Sequence, residues 1–293
     1  MNTPFLIMTG TKTCALGRAI ALVGILLTGF VSVSRVSSQT IGNGAVVSGL
    51  TAGAALRDPF AALNPSTAGS NREAAVSIWT TRPYNISEIQ IVGFTGTLSL
   101  WGLGIAPRFR SIGFDDYREY QSSIQLGIPI TWGADRNTNQ GTDRLARMGI
   151  GVHAVSKSAA QGGLRTSYVL TTGILVPVAP NIELGAVLSR SIKNTTRGVR
   201  KMLVGLSFRL HEKTSIYLDV FSETLFRPSY RLGMFTRPVR PIALRMGAST
   251  NPDKLSIGLS VRAGPLTGSI AVEYHLLLGA TTTIETTISS FDS

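Results

Sequence analysis

The feature that most constrains this chain is a period-two alternation of apolar and small or polar side chains, repeated along most of its length. Between Met202 and Leu210 every second residue is large and apolar, and Gly205, Ser207 and Arg209 are among the residues between them. Successive side chains of a β-strand point to opposite faces, so this spacing predicts strands with one apolar face and one small or polar face. The pattern recurs in 147–154, 255–263 and 268–278.

Strands of about nine to eleven residues with one apolar face are typical of transmembrane barrels, in which lipid contacts that face. The composition agrees, because 43% of the residues are hydrophobic and only 15% are charged. After residue 38 no window approaches the roughly eighteen uninterrupted apolar residues of a membrane-spanning helix, which excludes a helical membrane protein. The alternative fold is a soluble exported β-sandwich or a lipocalin-like binding barrel, which would bury its apolar faces.

The predicted fold class is therefore all-β, a transmembrane antiparallel β-barrel of about fourteen strands, with twelve as the alternative number. Proline, glycine, asparagine and aspartate between the alternating segments mark the connections. The fourteen predicted strands are 74–80, 86–94, 97–107, 121–131, 145–156, 165–176, 181–192, 199–210, 214–222, 228–236, 240–249, 254–263, 267–277 and 280–290.

Residues 1–38 have the composition of a secretory signal peptide. They contain no acid, carry basic residues near the start, and continue through an apolar stretch, 19–33, into small residues. Val36 and Ser38 place the cleavage site before Gln39. The alternative is an N-terminal membrane anchor, although this apolar stretch is shorter than the ~20 residues of a spanning helix.

Removal of this segment sets the charge and the redox chemistry of the mature chain. It takes away three of the 28 basic residues and none of the 16 acidic ones, which leaves a formal charge of +9. It also removes Cys14, the only cysteine, so the mature chain has neither disulfides nor cysteine metal sites. We predict no cofactor, no metal and no nucleic-acid partner, and outer-membrane lipid as the surroundings of the barrel.

Residues 39–72 lack the alternation and are predicted to plug the barrel, which occupies 73–293. They are rich in glycine, alanine and serine. Two polar residues followed by proline can each start a helical turn, because the polar side chain caps the turn and proline suits its first position. A barrel of about fourteen strands is wider than its own side chains can fill, so such turns fit the lumen. The plug motif comprises Asp58, Pro59, Asn64 and Pro65.

The block 52–69, which reads AGAALRDPFAALNPSTAG, resembles the N-terminal signature of the PorV/PorQ proteins, which are related to the long-chain fatty-acid transporter (FadL) type of barrel. In that family a small-residue stretch leads to an acidic residue, a few alanines and then Asn-Pro-Ala-Gly. Here Ser66 and Thr67 interrupt that run, and the upstream Met-Gly-Gly is missing. The segment 96–120, with its Gly-Phe-acidic loop at Gly113, also resembles the early hairpin of the family.

The resemblance implies an outer-membrane barrel of a Gram-negative bacterium with an N-terminal plug. Members of the family are linked either to the type IX secretion system, where such barrels hold or shuttle exported cargo, or to the uptake of hydrophobic molecules. The implied partners are therefore secretion-system proteins or a lipid-like small molecule. The sequence leaves the secretion role and the FadL-like channel for hydrophobic or anionic small molecules both open.

Charged residues on the polar faces are the candidates for a ligand site in the lumen. Opposite charges usually pair across a barrel wall and stiffen it. The functional alternative is a basic path or pocket for a fatty-acid carboxylate or another anion. The acids on these faces are Glu183, Asp219 and Glu273. The candidate ligand-binding residues are Arg147, His153, Lys201, Arg209, Arg245, Lys254, Arg262, Glu273 and His275.

We predict that the protein is not an enzyme. His275 lies two residues from Glu273 on the same predicted face, where an acid could orient an imidazole. No nucleophile elbow, HExxH motif or carboxylate-rich loop accompanies this pair.

Two further groups of residues are predicted near strand ends. Four arginines surround three prolines and form either a membrane-surface or partner patch or solvated strand ends; they are Arg227, Arg231, Arg237 and Arg240. Five aromatic residues are predicted at the headgroup layer, namely Trp79, Trp101, Trp132, Tyr84 and Tyr230.

Overall fold

In a computed structural model of the chain, the described residues form a closed antiparallel barrel of fourteen strands. This confirms the predicted fold class and the predicted number of strands. The predicted signal peptide, Trp132 and Pro59 lie outside the described residues. No helix within the described ranges is both long and apolar enough to cross a membrane. Those ranges are 44–58, 60, 63–68, 74–114, 116–130, 145–159, 162–192, 200–224 and 226–290.

Each strand pairs with the next in sequence, and the first strand closes the barrel against the last. The strands are β1 (Ala75–Arg82), β2 (Gln90–Leu100), β3 (Leu103–Phe114), β4 (Tyr117–Ile130), β5 (Ala146–Ala159), β6 (Gly162–Ala179), β7 (Ile182–Ser191), β8 (Arg200–His211), β9 (Thr214–Glu223), β10 (Ser229–Val239), β11 (Ile242–Ser249), β12 (Lys254–Ala263), β13 (Leu266–His275) and β14 (Gly279–Ser289).

The alternating apolar side chains point out of the barrel. In β12, Ile257 is 54% exposed and pairs with the outward Val272 of β13. Ser260, three residues after Ile257 in the same strand, is 4% exposed and pairs with the inward Ser269. A sandwich or a lipocalin-like barrel would bury the apolar faces instead, so the soluble alternative is wrong.

The two ends of the barrel carry different connections. Five connections at one end have two residues each: 101–102, 180–181, 212–213, 240–241 and 264–265. We call this the short-turn end. It is also where β1 begins and β14 ends, and the connection between β4 and β5 lies there too. At the opposite end, which we call the loop end, the connections include the described segment 83–89.

The predicted second and third strands were displaced along the chain. Their predicted ranges, 86–94 and 97–107, place a break near residue 95, whereas β2 continues to Leu100. The turn is Trp101-Gly102, whose φ angles of 52° and 81° reverse the chain in two residues. Left-handed backbone is rare for tryptophan, so a turn was not expected at this position.

The aromatic residues predicted at the headgroup layer have different surroundings. Trp79 is 2% exposed and faces the lumen beside Gly93, so its predicted lipid contact is wrong. Tyr230 faces outward and is 59% exposed. Trp101 is fully exposed in its turn. Tyr84 lies in a short 3-10 turn, and its ring meets the ring of His275 edge-on with centroids 6.1 Å apart.

The described residues of the segment 44–68 lie inside the barrel. A short helix, α1 (Ala45–Leu50), is followed by an irregular segment and by a 3-10 turn, Pro65–Thr67. Asn64 caps that turn and Pro65 occupies its first position, as predicted. We call the described residues between 44 and 68 the plug. The exact boundaries of the plug and barrel regions, 39–72 and 73–293, stay predictions.

Candidate functional site in the barrel lumen

The plug follows the inner wall of the barrel. Its first residues contact β14, and Ser256 of β12 donates a hydrogen bond to the carbonyl of Gly49 over 3.1 Å. The hydroxyl of Thr51 donates to carbonyl oxygens of both β10 and β11. The last residues of the plug reach β5 and β4, where they pack against Gly149 and Gly127. Plug and wall therefore meet along most of the barrel circumference.

Glu285 of β14 holds the beginning of α1. Its Oε2 accepts a hydrogen bond from the amide of Ala45 over 2.5 Å, and its Oε1 accepts one from Ser77 of β1 over 2.5 Å. A carboxylate at the first turn of a helix satisfies an amide that has no partner within the helix. Glu285 is 3% exposed, so this anchor is shielded from water.

Asp219 of β9 holds the middle of the plug. Its Oδ2 accepts hydrogen bonds from the amides of Gly53, over 2.5 Å, and Ala54, over 2.9 Å. A third acid acts further along the plug, because Arg57 forms a 2.6 Å ion pair with Glu183 of β7. Hydrogen bonds to a charged partner contribute about 1.5–3 kcal/mol each, so the acids of the wall stabilise the position of the plug.

Asn64 joins the two halves of the plug to each other and to the wall. Its Nδ2 donates to the carbonyl oxygens of Ala54, over 2.9 Å, and Ile174 of β6, over 3.1 Å. Its Oδ1 accepts from the amide of Ser66 over 3.1 Å and from the hydroxyl of Ser66 over 2.7 Å. The amide group of Asn64 is thus fully used at a site that is 1% exposed.

Glycines on the inner wall allow the plug main chain to approach closely. A Cβ atom at position 149 would overlap the main chain of Pro65 and Ser66, and one at position 185 would overlap that of Ala54. A larger residue at position 149 or 185 would displace the plug, so Gly149 and Gly185 determine where the plug lies.

An apolar seam joins the plug to the wall of β7–β10. On the plug side it contains Leu50, Leu56 and Leu63, and on the wall side Leu203 and Phe221 are among its members. Burying one such side chain contributes roughly 1.5–3 kcal/mol. Separation of plug and wall at this seam would expose these apolar side chains.

A cavity of about 310 Å³ lies on the short-turn side of the plug. Its polar lining includes the guanidinium groups of four arginines and the carboxyl group of one aspartate. Serine hydroxyls and a few apolar side chains complete the lining. The charged members are Arg237, Arg240, Arg245, Arg262 and Asp58.

Asp58 is the plug residue of this charged group. Its Oδ1 accepts a hydrogen bond from the amide of Phe60 over 2.9 Å. Burial raises the pKa of the Asp58 carboxyl above its ordinary value, against the opposing effects of the Arg245 charge and of the Phe60 amide.

The predicted ligand-binding residues face the lumen but do not form one site. Lys254 pairs with Glu273 over 3.2 Å, and Lys201 pairs with Glu223 over 3.0 Å, as expected of ladders that stiffen the wall. The ring of His275 accepts hydrogen bonds from the amides of the following turn. Of the nine predicted residues, Arg245 and Arg262 line the cavity.

Arg147, His153 and Arg209 lie apart from that cavity. His153 is half-buried on the inner face of β5, and neither ring nitrogen has a hydrogen-bond partner among the described residues. Arg147 is on the same face, nearer the short-turn end. Arg209 is exposed near the end of β8 and pairs in register with Ser215. Their proposed roles as ligand-binding residues stay predictions.

The four arginines predicted near strand ends lie toward opposite ends of β10. Arg227 and Arg231 lie toward the loop end, where the Arg231 guanidinium is 4.4 Å from the Phe221 ring centroid. Arg237 and Arg240 lie toward the short-turn end and line the cavity. The prediction of one surface patch is therefore wrong.

Sequence reasoning missed Glu285 altogether. The available signal was the alternation in β14, where outward Ile284 and Ile288 place the intervening Glu285 on the inner face. Within the described ranges no group of three or more histidine, cysteine, aspartate or glutamate side chains could hold a metal ion.

The barrel is similar to solved structures of channels. The structure named the CymD monoaromatic hydrocarbon channel matches with a TM-score of 0.58 at 13% identity, over 86% of this chain and 98% of that chain. The chain therefore shares the closed-barrel fold of that structure. A triple mutant of the Rh. blastica porin matches over 74% of this chain and 99% of its own at 8% identity, with a TM-score of 0.40 that carries no argument.

No protein-family model matches the chain, and no curated protein does. The likeness to CymD shows the fold alone at this level of identity. Membership of the PorV/PorQ family, a role in type IX secretion and the signal peptide stay predictions.

Proposed function

We propose that the protein is a plugged, FadL-like channel in the outer membrane of a Gram-negative bacterium, through which small, mainly apolar organic molecules pass when the plug moves. The observation that carries this proposal is the apolar seam between plug and wall, together with the buried acids that hold the plug. The similarity of the fold to that of the CymD monoaromatic hydrocarbon channel supports the same class of permeant.

The outer surface supports a place in the membrane. Outward side chains such as Ile78, at 59% exposure, and Leu255, at 57%, would be costly in water over the whole circumference of a barrel. We assign the short-turn end to the periplasm, because five of its six strand connections have two residues and bacterial barrels place short turns there. The sixth, which joins β4 to β5, is longer. The proposal predicts heat-modifiable migration on a detergent gel and recovery in the outer-membrane fraction.

A small permeant fits the lumen better than a secreted protein. One cavity beside the plug measures about 310 Å³, and another measures about 30 Å³. Ligand cavities for small molecules begin at about 300 Å³. The secretion role implied by the resemblance to PorV/PorQ proteins has no such support, and co-purification with secretion-system proteins would be its test.

A reversible lock on the plug tests the channel proposal. Ser48 Oγ of α1 and Thr283 Oγ1 of β14 lie 3.4 Å apart, so the double variant S48C/T283C is suited to a disulfide between plug and wall. Thr81 Oγ1 of β1 lies 2.8 Å from the same Thr283 Oγ1, so T81C/T283C is a matched control that links wall to wall. The mature chain has no other cysteine if the predicted signal peptide, with Cys14, is removed.

The measurement is uptake of radiolabelled toluene by Gram-negative cells that produce each variant. We expect oxidised S48C/T283C to lower uptake at least tenfold toward the level of non-producing cells, and a reductant to restore it. T81C/T283C should transport as the wild type does in both states. Equal uptake by the oxidised plug-locked variant and the wild type, or no uptake above non-producing cells, would contradict the proposal.

A further inference from the structure

The cavity on the short-turn side of the plug carries excess positive charge. Among its lining residues that the structure describes, four arginines face one acid. None of the four forms an ion pair with a described residue within 4.0 Å; the ion pairs in the described part of the chain lie elsewhere. Arg245 is buried, whereas Arg237, Arg240 and Arg262 are exposed. Because a buried charge is normally paired, and because the three other charges share its cavity, this arrangement is suited to an anion that enters from outside.

Arg245 forms the inner part of this charged wall. It is 8% exposed, and its Nη1 donates a hydrogen bond to the hydroxyl of Ser260. Its Nε is buried and has no hydrogen-bond partner among the described residues. A buried donor without a partner is unfavourable, so Arg245 has hydrogen-bonding capacity that its described neighbours leave unused.

The neighbouring groups add donors and keep the arginines in place. The hydroxyls of Ser260 and Ser269 lie 2.7 Å apart beside Arg245. The guanidinium groups of Arg237 and Arg245 lie 5.8 Å and 5.6 Å from the centroid of the Phe235 ring. These cation–π contacts restrict both side chains before a ligand arrives, which lowers the entropy cost of binding.

We propose that this cavity is a binding site for a small dianionic oxyanion, namely a phosphate group, either free or as a monoester of a small organic molecule. Guanidinium groups bind phosphate through paired hydrogen bonds, and several of them together favour a doubly charged anion over a singly charged one. Apolar side chains of the lining, such as Val46 and Phe60, leave room for an organic substituent. The site adjoins the apolar seam at Val46, but it is inferred from its own charges and not from the proposed transport of apolar molecules.

The test is calorimetric titration of the purified full-length barrel in phosphate-free detergent buffer. The probes are inorganic phosphate, phenyl phosphate and benzoate, of which benzoate is aromatic but singly charged. The variants are R245Q, at the inner wall of the cavity, and the double variant R237Q/R262Q, whose side chains are exposed and whose replacement leaves the fold intact. R209Q is the matched control, because Arg209 is an exposed inner-wall arginine near the same end that does not line the cavity.

We expect saturable phosphate binding that weakens at least tenfold in R245Q and in R237Q/R262Q and stays unchanged in R209Q. Tighter binding of phenyl phosphate than of phosphate assigns the site to organic monoesters, and equal binding assigns it to free phosphate. The proposal is overturned by the absence of saturable phosphate binding, by benzoate binding as tight as that of phenyl phosphate, or by an equal loss in R209Q. Toluene uptake is measured independently, so failure of one proposal leaves the other standing.

Discussion

The carboxylate of Asp219 lies over the α-carbon of Gly205, its partner in register on β8, so a methyl group at position 205 would overlap Oδ1. The other oxygen of that carboxylate accepts the amides of Gly53 and Ala54 of the plug. A missing side chain on one strand thus allows an acid on the next strand to hold the plug. The contact couples the shape of the wall to the position of the plug.

Replacement of this glycine is expected to loosen the plug. Gly205→Ala should displace the Asp219 carboxylate and weaken two charge-assisted hydrogen bonds. The reporter is S48C, whose position in α1 is 2% exposed, and the measurement is its rate of modification by a water-soluble maleimide. We expect at least a tenfold faster reaction, which corresponds to about 1.4 kcal/mol. Gly268→Ala is the control, because a Cβ there meets nothing within 4 Å; equal rates in both variants would show that Asp219 does not hold the plug.

Loss of the Asn64 amide should separate the two halves of the plug. Asn64→Ala removes two hydrogen bonds that it donates and two that it accepts, at a net cost of about 2 kcal/mol or more. Limited proteolysis under native conditions should cleave the plug of this variant at least tenfold faster than that of the wild type. Ser66→Ala removes only the hydroxyl contact and should have the smaller effect. If the two variants are cleaved alike, the junction role of Asn64 is refuted.

The membrane location predicts that arginine destabilises the barrel more on the outer face of a strand than on its inner face. Ile150 is 45% exposed on the outer face of β5, whereas Val155 is half-buried on the inner face. Ile150→Arg should lower the free energy of unfolding in lipid vesicles by roughly 2–4 kcal/mol, because the charge would face acyl chains. Val155→Arg should cost less, because the lumen is polar. Urea titration in vesicles measures both, and equal losses would argue against a lipid-facing outer surface.

Asp58 should make stability depend on pH. Because burial raises its pKa in the folded protein, its protonated form favours folding, and this contribution is lost as pH rises through the raised pKa. Arg237 and Arg245 act on it from β10 and β11, and Glu285 interacts with it from β14. Asp58→Asn removes the titrating group, so its stability relative to the wild type should rise with increasing pH. The temperature of the heat-modifiable gel shift between about pH 4 and 8 measures this, and parallel curves would contradict it.

Strands were predictable where a turn residue marks each boundary. Pro252-Asp253 and Gly264-Pro265 enclose β12, whose predicted and observed bounds coincide. The boundary between β2 and β3 was not predictable, because Trp101 adopts a left-handed conformation that its side chain does not favour.

The candidate site was predictable only in part. Alternation places Arg245 and Arg262 on the inner face, and the structure agrees. Alternation does not reveal which end of a strand meets which part of the plug, so the contribution of Arg237 and Arg240 to the same cavity was not expected.

By itself the sequence determined the two faces of each strand, because that information is local: side chains two residues apart share a face, and their polarity shows which face avoids water. Only the tertiary structure decided which lumen residues become partners. Ala45 and Glu285 are 240 residues apart and meet because β14 closes the barrel against β1. A contact of that kind depends on barrel closure and on the depth of the plug, and neither quantity is encoded in any short stretch of residues.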